Sequence, residues 1–386
     1  MIEIYDSFNK NYKMNGDITL APISCDYHVE MNNIYAVEII HPYDKLGRWK
    51  YIKDGAVLKG PLPNGKYGLF KILKPNKGIE YITANCVPIA IWDLSKKVLL
   101  DNLKIVDKNG QEALNIILNK TEYTGHSDIV SIKNCTFFKN NILQALNGEQ
   151  DNTFIKRWGG EFLPLNKDIY INYKLGGDYG AKISYGFNLK DINLERDISN
   201  VVTRIYPYVI VETTDTIELP EKFVDSPLIN KYPDIYEQYI DFSEYMHLKD
   251  SEDDIDNSYE TKEQLYDAMR NKCIELFKNG LDKPKTTGKV EKEALENTIE
   301  YSNFKNITKV DLGDVIHIEH TDIEIESCER VVGFIWDMLN EKYKEIYIGE
   351  LERNTFDIQS DTVNNLDNIL NKNGTINPSM LEGVMN

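Results

Sequence analysis

Six histidines are the residues best suited to bind a metal ion or transfer a proton, so their spacing is the first thing to test. They are His28, His41, His126, His247, His317 and His320. None lies in H-E-x-x-H, the helical spacing that brings two imidazoles to one zinc ion. His317 and His320, with Asp322 and Cys328 nearby, form the best metal candidate. Positions i and i+3 of a strand point to opposite faces, so we expect the two rings to diverge and predict no metal site.

Serine and cysteine nucleophiles also lack the motifs that would activate them. A G-x-S-x-G elbow is absent, and the nearest string, Gly180 to Gly186 around Ser184, has the wrong spacing. Cys25 and His28 are neighbours in the chain without a catalytic signature around them. The 62 acidic residues offer too many carboxylate pairs to single out one for sugar hydrolysis. We predict no catalytic, cofactor-binding or metal site.

Two stretches have the composition of ligand-binding loops without their pattern. Thr286 to Lys289 resembles the end of a P-loop, but Lys283 stands where the first glycine is required. Asp250 to Asp256 resembles a calcium loop, but its sixth position is Ile255 instead of glycine and its twelfth is Thr261 instead of glutamate. We interpret the first as an ordinary loop and the second as a solvated acidic loop.

Composition describes a soluble protein of two to four domains. The chain has 386 residues, of which 41% are hydrophobic and 27% charged. Its net charge of −18 argues against nucleic-acid binding, although an acidic wall also suits a conduit past which DNA slides. No apolar run is long enough for a signal peptide or a membrane span. Five widely spaced cysteines without C-x-x-C predict that most are small buried side chains and that none forms a disulfide or a zinc finger.

Residues 1 to about 88 have the pattern of short strands separated by turns such as Asn32-Asn33 and Asp54-Gly55. Closely spaced short strands indicate a small barrel or sandwich. The predicted strands are Ile18 to Ala21, Tyr27 to Glu30, Ala36 to Ile40, Trp49 to Ile52, Gly68 to Leu73 and Tyr81 to Ala84.

Helical patterns follow. Predicted helical segments are Ile89 to Leu94, Val98 to Leu103, Gln111 to Leu118 and Asn141 to Asn147, the last ended by Gly148 at a position that needs positive φ. Thr261 and Gln264 form a capping box for a longer helix from Lys262 to Asn279, ended by Gly280. Its apolar stripe indicates a face packed on a core.

The remaining patterns are β-rich. Arg157 to Pro207 alternates like a β-meander, and Lys283 to Gly288 has the composition of a loop. Further strands are predicted at Lys309 to Glu319, Ile323 to Ile325, Glu329 to Trp336 and Lys344 to Gly349. From Asp357 onward the chain is polar, with a loosely helical spacing of apolar residues.

Several motifs resemble those of phage tail proteins known as the prophage endopeptidase tail or tail-associated lysin family. The resemblance extends from about Tyr35 to Glu350. The motifs are R-W-G-G-E from Arg157, Y-G-x-N-L-K-D-I from Tyr185, D-I-S-N-V-V-T-R-I-Y-P-Y from Asp197, V-D-L-G-D-V-I-H-I-E-H from Val310 and E-R-V-V-G-F-I-W-D from Glu329.

The resemblance implies a fold like the central baseplate hub of phage tails. The fold class would be α+β, β-rich and multidomain, with two small β-barrel hub domains that each hold an inserted α/β domain. The first barrel would comprise 1–88 plus about 176–200, and the second 201–230 plus 302–352. Inserts at 89–175 and 231–301 and a polar tail at 353–386 complete the division. We expect edge strands at Val201 to Tyr208 and Val331 to Trp336 to contact neighbouring subunits.

The function so implied is structural. We expect a homotrimeric ring at the tail tip of a phage, a prophage or a phage-tail-like bacteriocin, which continues the tail tube and passes DNA or the tape-measure protein. Partners would be tail-tube and distal tail proteins and other baseplate proteins. Sequence-specific nucleic-acid binding, a membrane span and any cofactor are not expected. Assembly would take place in the bacterial host cytoplasm.

Two alternatives remain. One is a peptidoglycan endopeptidase of the tail tip, as the family label suggests. In enzymatic members the cleaving unit is a separate C-terminal domain, and the about 36 residues after Glu350 are too few for a folded hydrolase, so we expect no enzyme. The other is a carbohydrate-binding module, for which the four scattered tryptophans provide no aromatic platform.

Overall fold

The structure, a computed structural model, describes residues 1–99, 102–148, 150, 152–211, 215–243, 245–248, 258–294 and 310–349. The acidic stretch Asp250 to Asp256 and the polar tail 353–386 lie outside the described residues. The chain divides into two units, Met1–Asn193 with Gly288–Asn386, and Leu194–Thr287.

Within the described residues the chain forms 24 strands and five α-helices. The strands are β1 (Glu3–Tyr5), β2 (Ile18–Thr19), β3 (Ser24–Glu30), β4 (Tyr35–Pro42), β5 (Val57–Pro61), β6 (Tyr67–Lys77), β7 (Tyr81–Pro88), β8 (Leu103–Lys108), β9 (Thr124–His126), β10 (Lys133–Phe137), β11 (Glu161–Leu165), β12 (Asp168–Asn172), β13 (Asp178–Ser184), β14 (Leu189–Asp197), β15 (Arg204–Ile210), β16 (Thr216–Glu218), β17 (Val224–Asp225), β18 (Glu237–Asp241), β19 (His247–Leu248), β20 (Ser258–Tyr259), β21 (Lys285–Lys292), β22 (Val315–His320), β23 (Ile325–Asp337) and β24 (Lys342–Gly349). The α-helices are α1 (Ile89–Ser95), α2 (Gly110–Leu118), α3 (Ile142–Asn147), α4 (Phe154–Trp158) and α5 (Lys262–Lys278).

A 13-stranded sheet is the frame of the first unit. Its path runs β14-β21-β24-β23-β3-β4-β7-β6-β5-β1-β2, and β22 lies between β13 and β23 off this path. Side chains of β4 alternate strictly between buried and half-buried, as a strand with one face on the core requires. The predicted α+β, β-rich fold class is confirmed.

The described residues between β7 and β13 form four short helices and two small sheets. Asn109 and Asn141 cap α2 and α3 through reciprocal side-chain and backbone hydrogen bonds, and satisfy backbone N–H groups that the helices leave free. β8 pairs with β10, and β12 lies between β11 and β9.

The second unit packs α5 on a sheet of β15 to β18. The predicted capping box of Thr261 and Gln264 is present, and the chain leaves the helix at Gly280 with φ of 92°. The predicted apolar stripe is buried in a core with residues of β15, where each large apolar side chain contributes about 1.5–3 kcal/mol. The core members from these two elements are Ile205, Val209, Leu265, Met269, Cys273 and Phe277.

Several local predictions were wrong. Trp49 to Ile52 is part of a 3-10 turn instead of a strand, and Lys283 to Gly288 runs into β21 instead of remaining a loop. Val98 to Leu103 is not helical where the structure describes it, because Val98 forms a β-bridge with Asn141. Gly148 ends α3 with φ of −95°, which any residue can adopt.

The meander prediction holds only in part. β11 and β12 pair in antiparallel fashion, but β13 leaves them and pairs in parallel with β22, far along the chain. The predicted edge strands are also internal. β15 is paired with β16, β17 and β18, and β23 lies between β3 and β24.

The four-domain division with its boundaries stays a prediction. In the described sheets, β3 from the predicted first barrel pairs with β23 from the predicted second. The sheet around β15 is formed by residues 204–241 alone.

Candidate functional site

An antiparallel hairpin brings Cys328 directly opposite His317. β22 and β23 are joined by a tight turn in which Glu324 adopts the left-handed conformation, with φ of 54°. The register set by this turn pairs His317 with Cys328. Because side chains of directly opposed residues stand on the same face of a sheet, the imidazole and the thiol meet there.

β13 adds a carboxylate on the other side of β22. The two strands run parallel, with Asp178 opposite Val315 and an irregularity before Ala181 pairs with Ile316. His317 Nε2 lies 3.0 Å from Asp178 Oδ1 and 3.1 Å from Oδ2. His317 Nδ1 lies 3.1 Å from Cys328 Sγ. The three side chains thus form a continuous Asp–His–Cys relay.

The partners of His317 define its protonation pattern. An ionised carboxylate only accepts hydrogen bonds, so Nε2 carries a proton and donates it to Asp178, and Nδ1 is left to accept from the thiol. The hydrogen bond from His317, with a second from the backbone N–H of Gly180, holds the pKa of Asp178 below its usual value. Chemically, this arrangement permits the imidazole to take the thiol proton.

Burial on the opposite face of these strands fixes the relay in place. Ile316, Ile318, Ala181 and Ile183 are almost completely buried. The relay face is open, since 39% of the His317 side chain and 52% of the Asp178 side chain are exposed. The buried face therefore holds the strands in place, while Asp178, His317 and Cys328 on the other face stay accessible to solvent.

A buried ion pair holds the start of β13 beside the start of β22. The Arg330 guanidinium donates two parallel hydrogen bonds of 2.6 Å to Glu161, whose side chain is 2% exposed. Arg330 also donates to the carbonyls of Leu175 and Gly313, and Glu161 accepts from the Leu175 N–H at 2.6 Å. This cluster joins the segment before Asp178 to the segment before β22.

Two backbone segments touch directly next to this ion pair. A Cβ on Gly176 would lie 2.3 Å from the Gly313 carbonyl carbon, and one on Gly313 would lie 2.4 Å from the Leu175 oxygen. Gly177 N–H donates to Asp314 at 3.2 Å, and Val315 N–H donates to Gly177 at 3.0 Å. Close contact of the glycines therefore sets the distance between Asp178 and the hairpin.

The other residues considered in the sequence have ordinary surroundings. His320 does not join the relay and stacks on Tyr185, with ring centroids 4.0 Å apart. Ser184 lies at the end of β13, where its N–H donates to Asn188. In the described parts of the structure, no three His, Cys, Asp or Glu side chains are placed so that they could hold one metal ion.

Cysteine placement agrees with the sequence for four of five residues. Cys25, Cys86, Cys135 and Cys273 are buried free thiols, and Cys328 is the exposed one. The relay itself was not predicted. The relevant signal was the turn near Asp322, since a hairpin centred there pairs His317 with Cys328. No local signal indicates Asp178, which comes from a strand 139 residues away.

Across the described ranges, none of the helices is long and apolar enough to cross a membrane.

Comparisons with solved structures show that the chain shares its fold with phage tail proteins. The prophage tail protein gp18 from Listeria monocytogenes shares the fold with a TM-score of 0.57 and 16% identity, over 95% of this chain and 99% of that one. A tail protein from Neisseria meningitidis has a TM-score of 0.52 at 9% identity, over 90% and 96% of the two chains. The 43 kDa tail protein of prophage MuSo2 from Shewanella oneidensis has a TM-score of 0.51 at 9% identity, over 91% and 98%.

No curated protein matches the sequence. The family model described as prophage endopeptidase tail matches residues 178–359, a range that begins at Asp178 and includes the whole relay. The family recognised from the sequence motifs is thus confirmed over residues 178–359, which form the prophage endopeptidase tail region of a chain that has the fold of prophage tail proteins.

Proposed function

We propose that this chain is a structural subunit of the tail tip of a phage or prophage, where it acts as a baseplate hub. One observation carries the proposal: almost the whole chain shares its fold with almost the whole of a prophage tail protein. A fold shared over this length leaves little of the described chain for a separate catalytic domain. The protein would belong to the virion and would be assembled in the host cytoplasm.

The subunit is proposed to form a homotrimeric ring that continues the tail tube. A ring needs surfaces that pair with neighbouring copies, and an incompletely paired strand provides one. In the described residues β13 is paired only with β22, and its Tyr179 side chain is 71% exposed. Tyrosine side chains, which are apolar with one polar end, are common at protein interfaces. We assign β13 to the contact between subunits.

Tail-tube, distal tail and other baseplate proteins would bind the two faces of such a ring. DNA and the tape-measure protein would pass through its centre. The net charge of −18 suits this role, because an acidic wall repels phosphate. A phage-tail-like bacteriocin would use the same ring without DNA.

Assembly is tested by mass photometry of the purified chain across concentrations, with particle imaging for three-fold rings. We expect monomers to convert to trimers as concentration rises, and Tyr179→Glu to weaken the trimer at least tenfold. Tyr173→Glu is the matched control, because Tyr173 is 63% exposed outside β13. A stable dimer, or equal effects of both substitutions, would contradict the proposed ring.

The endopeptidase alternative is favoured by the family description and by the Asp178–His317–Cys328 relay. Peptide hydrolysis would need Cys328 as nucleophile, so zymography on host peptidoglycan with Cys328→Ser as control tests it. We expect no clearing by either protein. Clearing that Cys328→Ser abolishes would establish the enzyme instead of the purely structural subunit.

A further inference from the structure

Cys328 differs from the other cysteines both in exposure and in its partner. Burial raises the pKa of the Cys273 thiol to about 12, so that thiol stays protonated in the folded protein. Cys328 is exposed, and its sulfur lies 3.1 Å from a nitrogen that can accept its proton. A thiol reacts as a nucleophile only after it loses this proton.

We propose that Asp178, His317 and Cys328 form a reactive thiol site, at which Cys328 attacks low-molecular-weight disulfides and becomes a mixed disulfide. The inference concerns the unassembled chain, because Asp178 lies on β13, the strand that we assign to the contact between subunits. Exchange with a small disulfide requires an accessible thiolate and a proton acceptor, and the open sheet face provides both. It requires neither a deep cleft nor an oxyanion hole.

The reaction is balanced within these groups. The Cys328 proton passes to His317 Nδ1, and the Asp178 carboxylate stabilises the resulting imidazolium through Nε2. The Cys328 sulfur then forms a bond to one sulfur of the disulfide, whose own S–S bond breaks. The leaving thiolate takes the proton from His317. Cys328 is oxidised, and the small disulfide is the oxidant that is reduced.

Most other charged side chains near Cys328 are paired with one another, so His317 and Asp178 are the groups that act on its thiol. Lys182, opposite His317 on β13, pairs with Glu319 of β22, so these two charges largely cancel. On β23, Arg330 is bound to Glu161. Glu326, two residues before Cys328 on β23, is exposed, so solvent screens its charge.

The test is the rate of reaction of the folded full chain with 5,5′-dithiobis(2-nitrobenzoate) and with oxidised glutathione. At pH 6 a free cysteine thiol is only about 0.3% ionised, so proton transfer to His317 has its largest effect there. Allowing for the lower nucleophilicity of a stabilised thiolate, we expect wild type to react about tenfold faster than His317→Ala at pH 6. Asp178→Asn should also react more slowly than wild type. Mass spectrometry should find one adduct, on Cys328.

Two controls make the result decisive. His320→Ala changes a histidine of the same strand that stacks on Tyr185, and should leave the rate unchanged. Cys328→Ser should abolish the fast reaction, since the other cysteines are buried. The rate of wild type should fall clearly less than tenfold between pH 7 and pH 6, a measurement that needs no variant. Equal rates for wild type and His317→Ala, or the full tenfold fall of a free thiol, would refute the site.

Discussion

At the scale of single residues, Glu161 and Arg330 form an ion pair that is almost completely withdrawn from water. The Glu161 side chain is 2% exposed and that of Arg330 14%, so both have lost most of their water. Bidentate geometry and the contacts with Leu175 and Gly313 compensate that loss. The pair also holds the segment that leads to Asp178, which links the stability of the fold to the geometry of the relay.

We predict that Arg330→Met destabilises the chain by about 3–5 kcal/mol, because it leaves the Glu161 carboxylate buried without its partner. Arg270→Met is the matched control. Arg270 binds Glu221 at 2.7 Å, but the two side chains are 37% and 43% exposed, so the loss should be several-fold smaller. Urea unfolding measures both. Equal losses would mean that the buried pair contributes no more than a surface pair.

At the scale of elements, the sequence predicted what local chemistry determines. The capping box of α5, its buried stripe and its end near Gly280 are all present, because each depends on residues within one or two turns. The pairing of β13 with β22 was missed, since it joins two strands that lie far apart in the chain. The hairpin of β22 and β23 was divided into separate runs, so the opposition of His317 and Cys328 was missed with it.

The close contact of Gly176 with Gly313 joins the segments before β13 and β22, and a single substitution tests how much it contributes to stability. Gly313 has φ of 88°, and a Cβ there would lie 2.4 Å from the Leu175 oxygen. We predict that Gly313→Ala costs about 1–2 kcal/mol for its conformation and about 1–3 kcal/mol more for the displaced backbone. It should also slow the reaction of Cys328 with disulfides, because Asp178 would move away from His317.

Gly186→Ala separates the conformational cost of a side chain at positive φ from the cost of displacing the neighbouring backbone. Gly186 has φ of 76° and no atom within 4 Å of an added Cβ, so only the conformational cost applies. Thermal unfolding of both variants gives the difference. A loss in Gly313→Ala no larger than in Gly186→Ala would show that the two segments separate without cost.

At the scale of the whole molecule, the fold and the charge bear on the role that we propose. The fold is shared with prophage tail proteins over nearly the full length of both chains, and a net charge of −18 suits the proposed passage for DNA. The sequence could predict the family and the sign of the charge. It could not assign the inner wall of a ring, because each strand has two faces and the subunit arrangement decides which one faces the bore.

We predict that acidic side chains are concentrated on the inner wall of the trimer, with basic and apolar side chains toward the subunit contacts. Repulsion between this wall and phosphate acts over roughly a Debye length, about 8 Å at physiological salt, so a wide bore requires many modest charges around its circumference. A reconstruction of the ring by electron cryomicroscopy measures this directly, through the surface potential of the bore against that of the outer surface. The bore should be the more negative of the two. A neutral or positive bore would leave the acidity of the chain to solubility alone and would remove the electrostatic argument for a DNA passage.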